Sequence, residues 1–313
     1  MSLVDLTAEV DPADLDTAGP DSSSDASPQR RALAELWRAR YGGLEPTAAA
    51  AGPGAGPSGG ADDPAGAVVR LQLAHRSVRQ YLPDDVSDET LATLVAAAQS
   101  AATSSNLQLW SVVAVRDPQR RTWLAHLAGD QAHIVQAPLL LVWLVDLARA
   151  HAVADRHEAP TAASDYLETT VVGFVDAALA AQNATLAAES LGLGTVYIGA
   201  LRNDPAAVAE VLGLPDHVFA AFGLVVGHPD PDERATVKPR LAQDAVLHHE
   251  TYDATRQLDA VSAYEHRIGA YYAAQGLQHS WTQRLLARLA HPRALNGRER
   301  LTDALGAAGL GLR

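Results

Sequence analysis

Residues 75–81, with the sequence HRSVRQY, gather three potential cations and a hydroxyl within five positions. If this segment is helical, His75 and Arg79 lie four residues apart on one face, with Arg76 and Ser77 between them. Charged donors and a hydroxyl close to helix-end amides suit a phosphate group. A solvated basic turn is an equally good interpretation of this cluster taken alone.

Two further cations, Lys238 and Arg240, flank Pro239. The chain carries 24 Lys plus Arg against 37 Asp plus Glu, a net charge of −13. Cations around a proline in so acidic a chain favour an anionic ligand, although the tripeptide by itself is a weak signal. The same acidity argues against binding to nucleic acid or to an anionic membrane surface.

Two loops could add ligand contacts. Residues 103–108 (TSSNLQ) offer short polar side chains, including Ser104, Ser105 and Asn106, between a predicted helix and strand. Ordinary turn chemistry explains the same residues.

In the second loop, residues 192–199 (GLGTVYIG), a predicted helix precedes the glycines and a predicted strand follows them, which is the reverse of the order in a dinucleotide-binding loop. A helix C-cap before a core strand explains the first glycines, while Gly199 also lets backbone approach a flat ring.

Several chemistries have no basis in this sequence. It contains no cysteine, which excludes disulfides, thiolate nucleophiles and Cys-ligated metals. His248 and His249 are adjacent and do not share a helix face, and no spaced metal-ligand motif occurs, so no metal site is predicted. No G-x-S-x-G nucleophile elbow is present.

The chain divides into three regions by composition. Residues 1–67 form an acidic extension rich in Ala, Gly and Pro, which predicts disorder over 1–28, a short helix near 29–40 and a flexible linker over 46–67. Residues 68–245 hold the motifs, and 246–313 are predicted to form C-terminal helices that pack on the core or on a partner subunit. The first residues lack signal-peptide features, and the longest apolar run, 138–145, is too short for a bilayer, so we expect a cytoplasmic protein.

The pattern of the middle region predicts both helices and strands. Ser87 is a good N-cap for a helix to about residue 101, and Asp204-Pro205 should begin another that stops at Gly213. Residues 165–191 form a long helical pattern, apolar almost all round, which should lie in the middle of the fold. Buried strands are predicted over 109–116 and 139–146, and further strands over 195–198 and 219–226. Because regular βαβ alternation is missing, we predict an α+β fold with a small sheet covered by helices.

Taken in order, these segments resemble the FMN-dependent nitroreductase family, in particular its oxygen-insensitive NADPH nitroreductase and NADPH:flavin reductase branch. The resembling segments span about residues 70–242: HRSVRQY (75–81), SSNLQ (104–108), GDQAHI (129–134), AQNATLAAESLGLGTVYIGALRN (181–203), FGLVVGHP (222–229) and KPRL (238–241). The resemblance implies a small, mainly antiparallel central sheet flanked by helices, and an interlocked homodimer with FMN in each interface cleft.

The resemblance also implies roles for single residues. The FMN phosphate would be held by His75, Ser77, Lys238 and Arg240, with Arg76 in the same cofactor-binding set. Arg79 would lie near flavin N1, where negative charge accumulates on reduction. Gln131 would contact the ribityl chain or the pyrimidine edge. The flavin ring would be lined by Tyr197, Ile198 and Gly199, with the Gly199 amide near N5. The partner subunit would contribute Ser104, Ser105 and Asn106.

The function implied is an FMN-dependent oxidoreductase that moves hydride from NADPH or NADH to nitroaromatics, quinones or free flavins. The flavin carries that chemistry, while Arg79 and Gly199 provide electrostatic and backbone support. Residues 271–281 lack the arginines that this branch uses for the NADPH 2′-phosphate, so the donor stays open. Two alternatives also stay open: a reductase dedicated to one metabolite with an unusual hydride donor, and a non-catalytic FMN-binding or storage protein.

Overall fold

The computed structural model describes residues 28–42 and 64–313. One antiparallel sheet contains β1 (Trp110–Val115), β2 (Leu139–Asp146), β3 (Gly194–Ile198) and β4 (Val218–Gly227), in the order β1-β2-β4-β3. This confirms the predicted small antiparallel sheet of an α+β fold.

Helices surround this sheet. In chain order they are α1 (Pro28–Tyr41), α2 (Pro64–Ala74), α3 (Asp88–Gln99), α4 (Pro118–Leu127), α5 (Ala132–Gln136), α6 (Ala148–Arg156), α7 (Leu167–Ser190), α8 (Pro205–Leu212), α9 (Gln257–Ala273), α10 (Trp281–Ala290) and α11 (Leu301–Ala307). The predicted disorder over 1–28 lies almost wholly outside the described residues, as does most of the linker predicted over 46–67. The linker prediction ran too far, because α2 already begins at Pro64.

Helix ends follow the local sequence signals. The Ser87 side chain accepts a hydrogen bond from the Thr90 amide at the start of α3, and Asp204 does the same from the Ala207 amide at the start of α8. Gly213 ends α8 in the left-handed conformation, with φ +63°. The starts of α3 and α8 and the end of α8 therefore lie where the sequence predicted them.

The strands differ in burial according to their place in the sheet. Every residue of β2 is buried, as its continuous Val and Leu run predicts. β1 was also expected to be buried, but it is an edge strand and only Val115 is buried along it. Topology rather than local sequence decides this difference.

Helix α7 packs one side on α3 and the sheet, where small residues allow close approach. A Cβ added to Gly173 would lie 2.5 Å from Val145 Cγ1. The helix does not lie fully inside the chain as expected, because Leu167, Val171, Val175 and Leu179 form an exposed apolar stripe at four-residue spacing. By length and composition alone α7 could cross a membrane, which is weak evidence because core helices of soluble proteins share these features, and here one side of α7 packs on α3 and the sheet.

Residues 75–81 are extended rather than helical. Ser77 forms a parallel bridge with Thr195 of β3, and Tyr81 forms an antiparallel bridge with Pro229. His75 and Arg79 therefore do not share a helix face. Pairing with β3 overrides the local helical alternative, because it satisfies backbone groups along the edge of the sheet.

Candidate functional site

The basic segment 75–81 is fixed to the outer edge of β3. The Val78 amide donates to the Thr195 carbonyl at 2.9 Å. Gly194 makes this approach possible, since a Cβ there would lie 2.7 Å from Val78 Cγ2. His75, Arg76 and Ser77 consequently lie beside the strand that ends at Ile198.

His75 is paired with Glu189, an acidic residue that is largely buried. Its Nδ1 lies 2.6 Å from Glu189 Oε1, and the same oxygen accepts a hydrogen bond from Thr195 Oγ1 at 3.1 Å. The Glu189 side chain is only 11% exposed. With Nδ1 committed to the carboxylate, Nε2 is the ring nitrogen left for a ligand.

Glu233 joins the loop that leads to Lys238 to the basic segment. Its Oε2 accepts from the backbone amides of Arg79 (2.8 Å) and Gln80 (2.7 Å). The Arg76 guanidinium donates to the Ala235 carbonyl at 3.1 Å. Two clusters separated by more than 150 residues of sequence are thereby brought together, as the sequence interpretation required.

Arg40, from α1, links the same two segments. Its guanidinium donates to the carbonyls of Leu73 (3.0 Å), Lys238 (3.1 Å) and His75, while its own carbonyl accepts from the Arg240 amide at 2.8 Å. Burial, and then the charge of Arg240, lower the pKa of the Arg40 guanidinium. Sequence reasoning missed both Arg40 and Glu189.

Among the described residues, the arginine and lysine side chains of this site have no carboxylate partner, whereas His75 is paired with Glu189. The ion pairs of these residues include none made by Arg76, Arg79, Lys238 or Arg240. The Lys238 ammonium lies 5.8 Å from the centre of the Tyr272 ring. In a chain with net charge −13, Arg76, Lys238 and Arg240 without carboxylate partners give the two joined segments the charge that suits a phosphate dianion.

The end of β3 presents an aromatic residue and a glycine next to this basic cluster. Tyr197 is 38% exposed, and its hydroxyl accepts from Thr185 Oγ1 at 3.1 Å. Burial of the ring raises the pKa of Tyr197, and the Thr185 bond opposes that effect. The Ile198 side chain is buried in the core, so this residue can line a ligand only through its backbone. At Gly199 an added Cβ would lie 3.4 Å from Arg202 Nη2, so the missing side chain leaves room at the end of the strand.

Gln131 lies at the start of α5, where its Nε2 donates to the Ala128 carbonyl at 2.8 Å. Two residues later, burial and then the charge of Arg79 lower the pKa of His133. The beginning of α5 is therefore within electrostatic reach of Arg79.

Ser104, Ser105 and Asn106 belong to a loop shaped by a different buried group. Asp176 of α7, 1% exposed, accepts from Thr103 Oγ1 (2.6 Å), the Leu109 amide (3.1 Å) and the Ser104 amide (3.2 Å). Ser105 and Asn106 take positive φ angles of 48° and 56°. Within the described chain these hydrogen bonds tie the loop to α7 rather than to the basic cluster.

Comparison with known proteins covers the same region. Residues 73–228 match the nitroreductase family, and residues 238–313 match the nitroreductase family C-terminal domain. The chain is 40% identical over 225 residues to an NADPH-flavin oxidoreductase of Vibrio harveyi, covering 71% of this chain and 90% of that one. It is 43% identical over 206 residues to an FMN reductase [NAD(P)H] of Bacillus subtilis, covering 65% and 82% respectively.

A solved structure agrees with these sequence matches. The NADPH:FMN oxidoreductase from Vibrio harveyi complexed with NAD+ is similar with a TM-score of 0.70 and 37% identity, covering 79% of this chain and 99% of that one. The resemblance drawn from the short motifs is confirmed by all these comparisons.

Proposed function

Because this chain belongs to the nitroreductase family, we propose that it uses FMN to carry hydride from NAD(P)H to flat acceptors such as nitroaromatics, quinones or free flavins. It is an NAD(P)H-dependent flavin oxidoreductase, and bound FMN supplies the redox chemistry. The observation that carries the assignment of the site is that the segment of His75 and Arg76 and the segment of Lys238 and Arg240 are hydrogen-bonded together beside β3, with Arg76, Lys238 and Arg240 making no ion pair among the described residues.

The phosphate end of the cofactor is assigned to the basic cluster. His75, through Nε2, and Ser77 would donate from one segment, and Lys238 and Arg240 from the other, with Arg76 beside them. His75 is already paired with Glu189, whereas Arg76, Lys238 and Arg240 make no ion pair among the described residues, so an anion bound there would offset their charge. The remaining flavin is then directed along β3.

The ring end is assigned to residues around the end of β3. Tyr197 would contact the ring through its partly exposed side chain, Ile198 through its backbone, and the Gly199 amide would donate near N5. Gln131 would reach the ribityl chain or the pyrimidine edge. Arg79 would place its positive charge near N1 and C2 and so stabilise the negative charge that accumulates there.

A homodimer is proposed to complete the site. The exposed stripe of α7 is the kind of surface that a partner covers, since such apolar area is costly in water. The loop of Ser104, Ser105 and Asn106 is expected to reach the cofactor from the partner subunit. We further propose a cytoplasmic location, a core over 68–245, an accessory extension over 1–67 and a helical extension over 246–313.

The test is anaerobic reduction of the purified protein reconstituted with FMN, followed by flavin absorbance after mixing with NADH or NADPH. We expect bleaching, and the faster nucleotide identifies the donor. Stable colour with both nucleotides supports the non-catalytic FMN-binding alternative or a dedicated reductase with another donor. A chain that takes up no FMN overturns the proposal.

The role of Arg79 is tested in the same assay. Arg79→Ala should slow flavin reduction by about tenfold or more while FMN retention changes less, because its charge acts on the reduced ring. Arg120→Ala, an exposed arginine on α4, is the matched control. Loss of FMN without slower reduction in the retained fraction would argue against this role.

A further inference from the structure

Helix α1 contributes Arg40 from a part of the chain that lies outside both family matches, 73–228 and 238–313. We propose that Arg40 is a positioning residue for the cofactor phosphate: it fastens the two basic segments to each other so that their cations converge on one anion. This inference rests on the proposed FMN site and assigns to α1 a part in it.

The geometry shows what Arg40 holds. Its guanidinium donates to three backbone carbonyls: that of Leu73 at the end of α2, that of His75 at the start of the basic segment 75–81, and that of Lys238. Its own carbonyl accepts from the Arg240 amide. Since every one of these bonds is to main chain, Arg40 fixes the paths of both segments rather than the rotamer of one side chain. A planar guanidinium with several donors is suited to such bridging.

The electrostatics point the same way. Arg40 is 4% exposed and makes no ion pair among the described residues. A buried guanidinium stays protonated, so its charge adds to that of Arg240 nearby. Carbonyl oxygens satisfy its donors, and the Glu189 carboxylate, which favours the charged form of Arg40, is itself paired with His75. A phosphate dianion at the cluster would offset the repulsion, whereas packing of α1 alone would be served better by an apolar side chain.

A purely structural role and a positioning role predict different ligand selectivity. Riboflavin shares the ring and ribityl chain of FMN but lacks the phosphate. If Arg40 organises the phosphate cluster, its loss weakens FMN binding and leaves riboflavin binding almost unchanged. If Arg40 only holds α1 on the fold, the two flavins are affected equally or not at all.

The experiment measures dissociation constants of the full-length apoprotein for FMN and riboflavin by quenching of flavin fluorescence, together with the thermal unfolding midpoint. Arg40→Met should weaken FMN binding by about tenfold or more, the loss expected for hydrogen bonds made by a charged group, with riboflavin binding within about twofold. Arg40→Lys keeps the positive charge but loses the several donors of the guanidinium, so its FMN affinity should lie between those of the wild type and Arg40→Met. Arg38→Met, an exposed arginine of the same helix, should match the wild type.

Each outcome bears on a different claim. A wild-type chain that binds neither flavin overturns the proposed function itself. A wild type that binds FMN, together with an Arg40→Met protein of equal FMN affinity, overturns the role of Arg40. Equal loss of both flavins overturns it too. If Arg40→Met does not fold, Arg40→Lys decides, since it must still lower the preference for FMN over riboflavin.

Discussion

Glu189 lies directly behind His75, with its Oε1 2.6 Å from the imidazole Nδ1. The two residues are 114 positions apart, one near the end of α7 and the other in the extended segment beside β3. The carboxylate fixes the ring orientation and the nitrogen that remains for a ligand. In the proposed site, this carboxylate would keep the imidazole oriented towards the FMN phosphate.

Glu189→Ala should therefore weaken FMN binding. The change removes the acceptor of both His75 and Thr195 Oγ1, so the imidazole is free to rotate, and we expect a loss of about threefold to tenfold in affinity. Titration of apoprotein with FMN measures it. Glu210→Ala, at an exposed position of α8, is the control, and equal affinity of the Glu189 variant and wild type would contradict the support role.

Lys238 is the only lysine of the sequence, which permits a chemical test without mutation. Acylation by an amine-specific reagent should be slowed about tenfold by saturating FMN, because the phosphate would engage the ammonium group. Peptide mass spectrometry follows the modification, with the N-terminal amine as internal control. Riboflavin should protect less. An acylation rate unaffected by FMN would remove Lys238 from the phosphate site.

Asp176 should matter to both stability and the loop at Ser104. Its carboxylate is buried and accepts three hydrogen bonds, so Asp176→Ala leaves several donors without partners and should lower the free energy of unfolding by about 3 kcal/mol. Urea unfolding measures this change. Asp155→Ala, exposed on α6, should change it little. A loss as small as that of the control would show that the loop does not depend on Asp176.

Val175 lies in the apolar stripe of α7 and is 50% exposed. Val175→Glu should shift the protein towards monomer and lower FMN retention, because a charge would be buried in the proposed interface and the partner loop would be lost. Light scattering after size exclusion reports the mass. Val153→Glu on α6 is a comparably exposed control outside the stripe. A dimer that survives the first change would place the interface elsewhere.

His133 predicts acid sensitivity. Burial, and then Arg79, lower its pKa in the folded chain, so the unfolded chain binds a proton first as the pH falls below about 6.5. Its contribution to stability is thus present above that pH and is lost on acidification. His133→Gln should flatten the decline of unfolding free energy between about pH 6.5 and 5. His157→Gln, at an exposed position, should leave that decline unchanged. If unfolding free energy falls equally with pH in the wild type and both variants, His133 is not the cause of the acid sensitivity.

The sequence predicted those elements whose signals are local. A continuous Val and Leu run gave the bounds of β2, and side-chain caps gave the starts of α3 and α8. α4 and α6 were missed because their apolar positions are interrupted by charges, and short helices of that kind are stabilised by tertiary packing. The exposure of β1 depends on sheet order, which no window of sequence contains.

The candidate site divides in the same way. The cations were visible from residue type, and the family resemblance is what predicts that they hold one phosphate. Arg40, Glu189 and Glu233 were not foreseen, because they act on backbone groups or on a single distant side chain. Such contacts carry no fixed spacing in sequence, so only the folded chain reveals them.

The parallel bridge between Ser77 and Thr195 sets the distance between the two ends of the proposed FMN site. Extended backbone advances about 3.3 Å per residue, so Ile198, three residues beyond Thr195, lies about 10 Å further along β3. In the proposed site, the phosphate end beside Ser77 and the ring end beside Ile198 are thus separated by paired sheet, and that length cannot change without breaking strand pairing. A molecule much shorter than this distance would contact only one of the two ends.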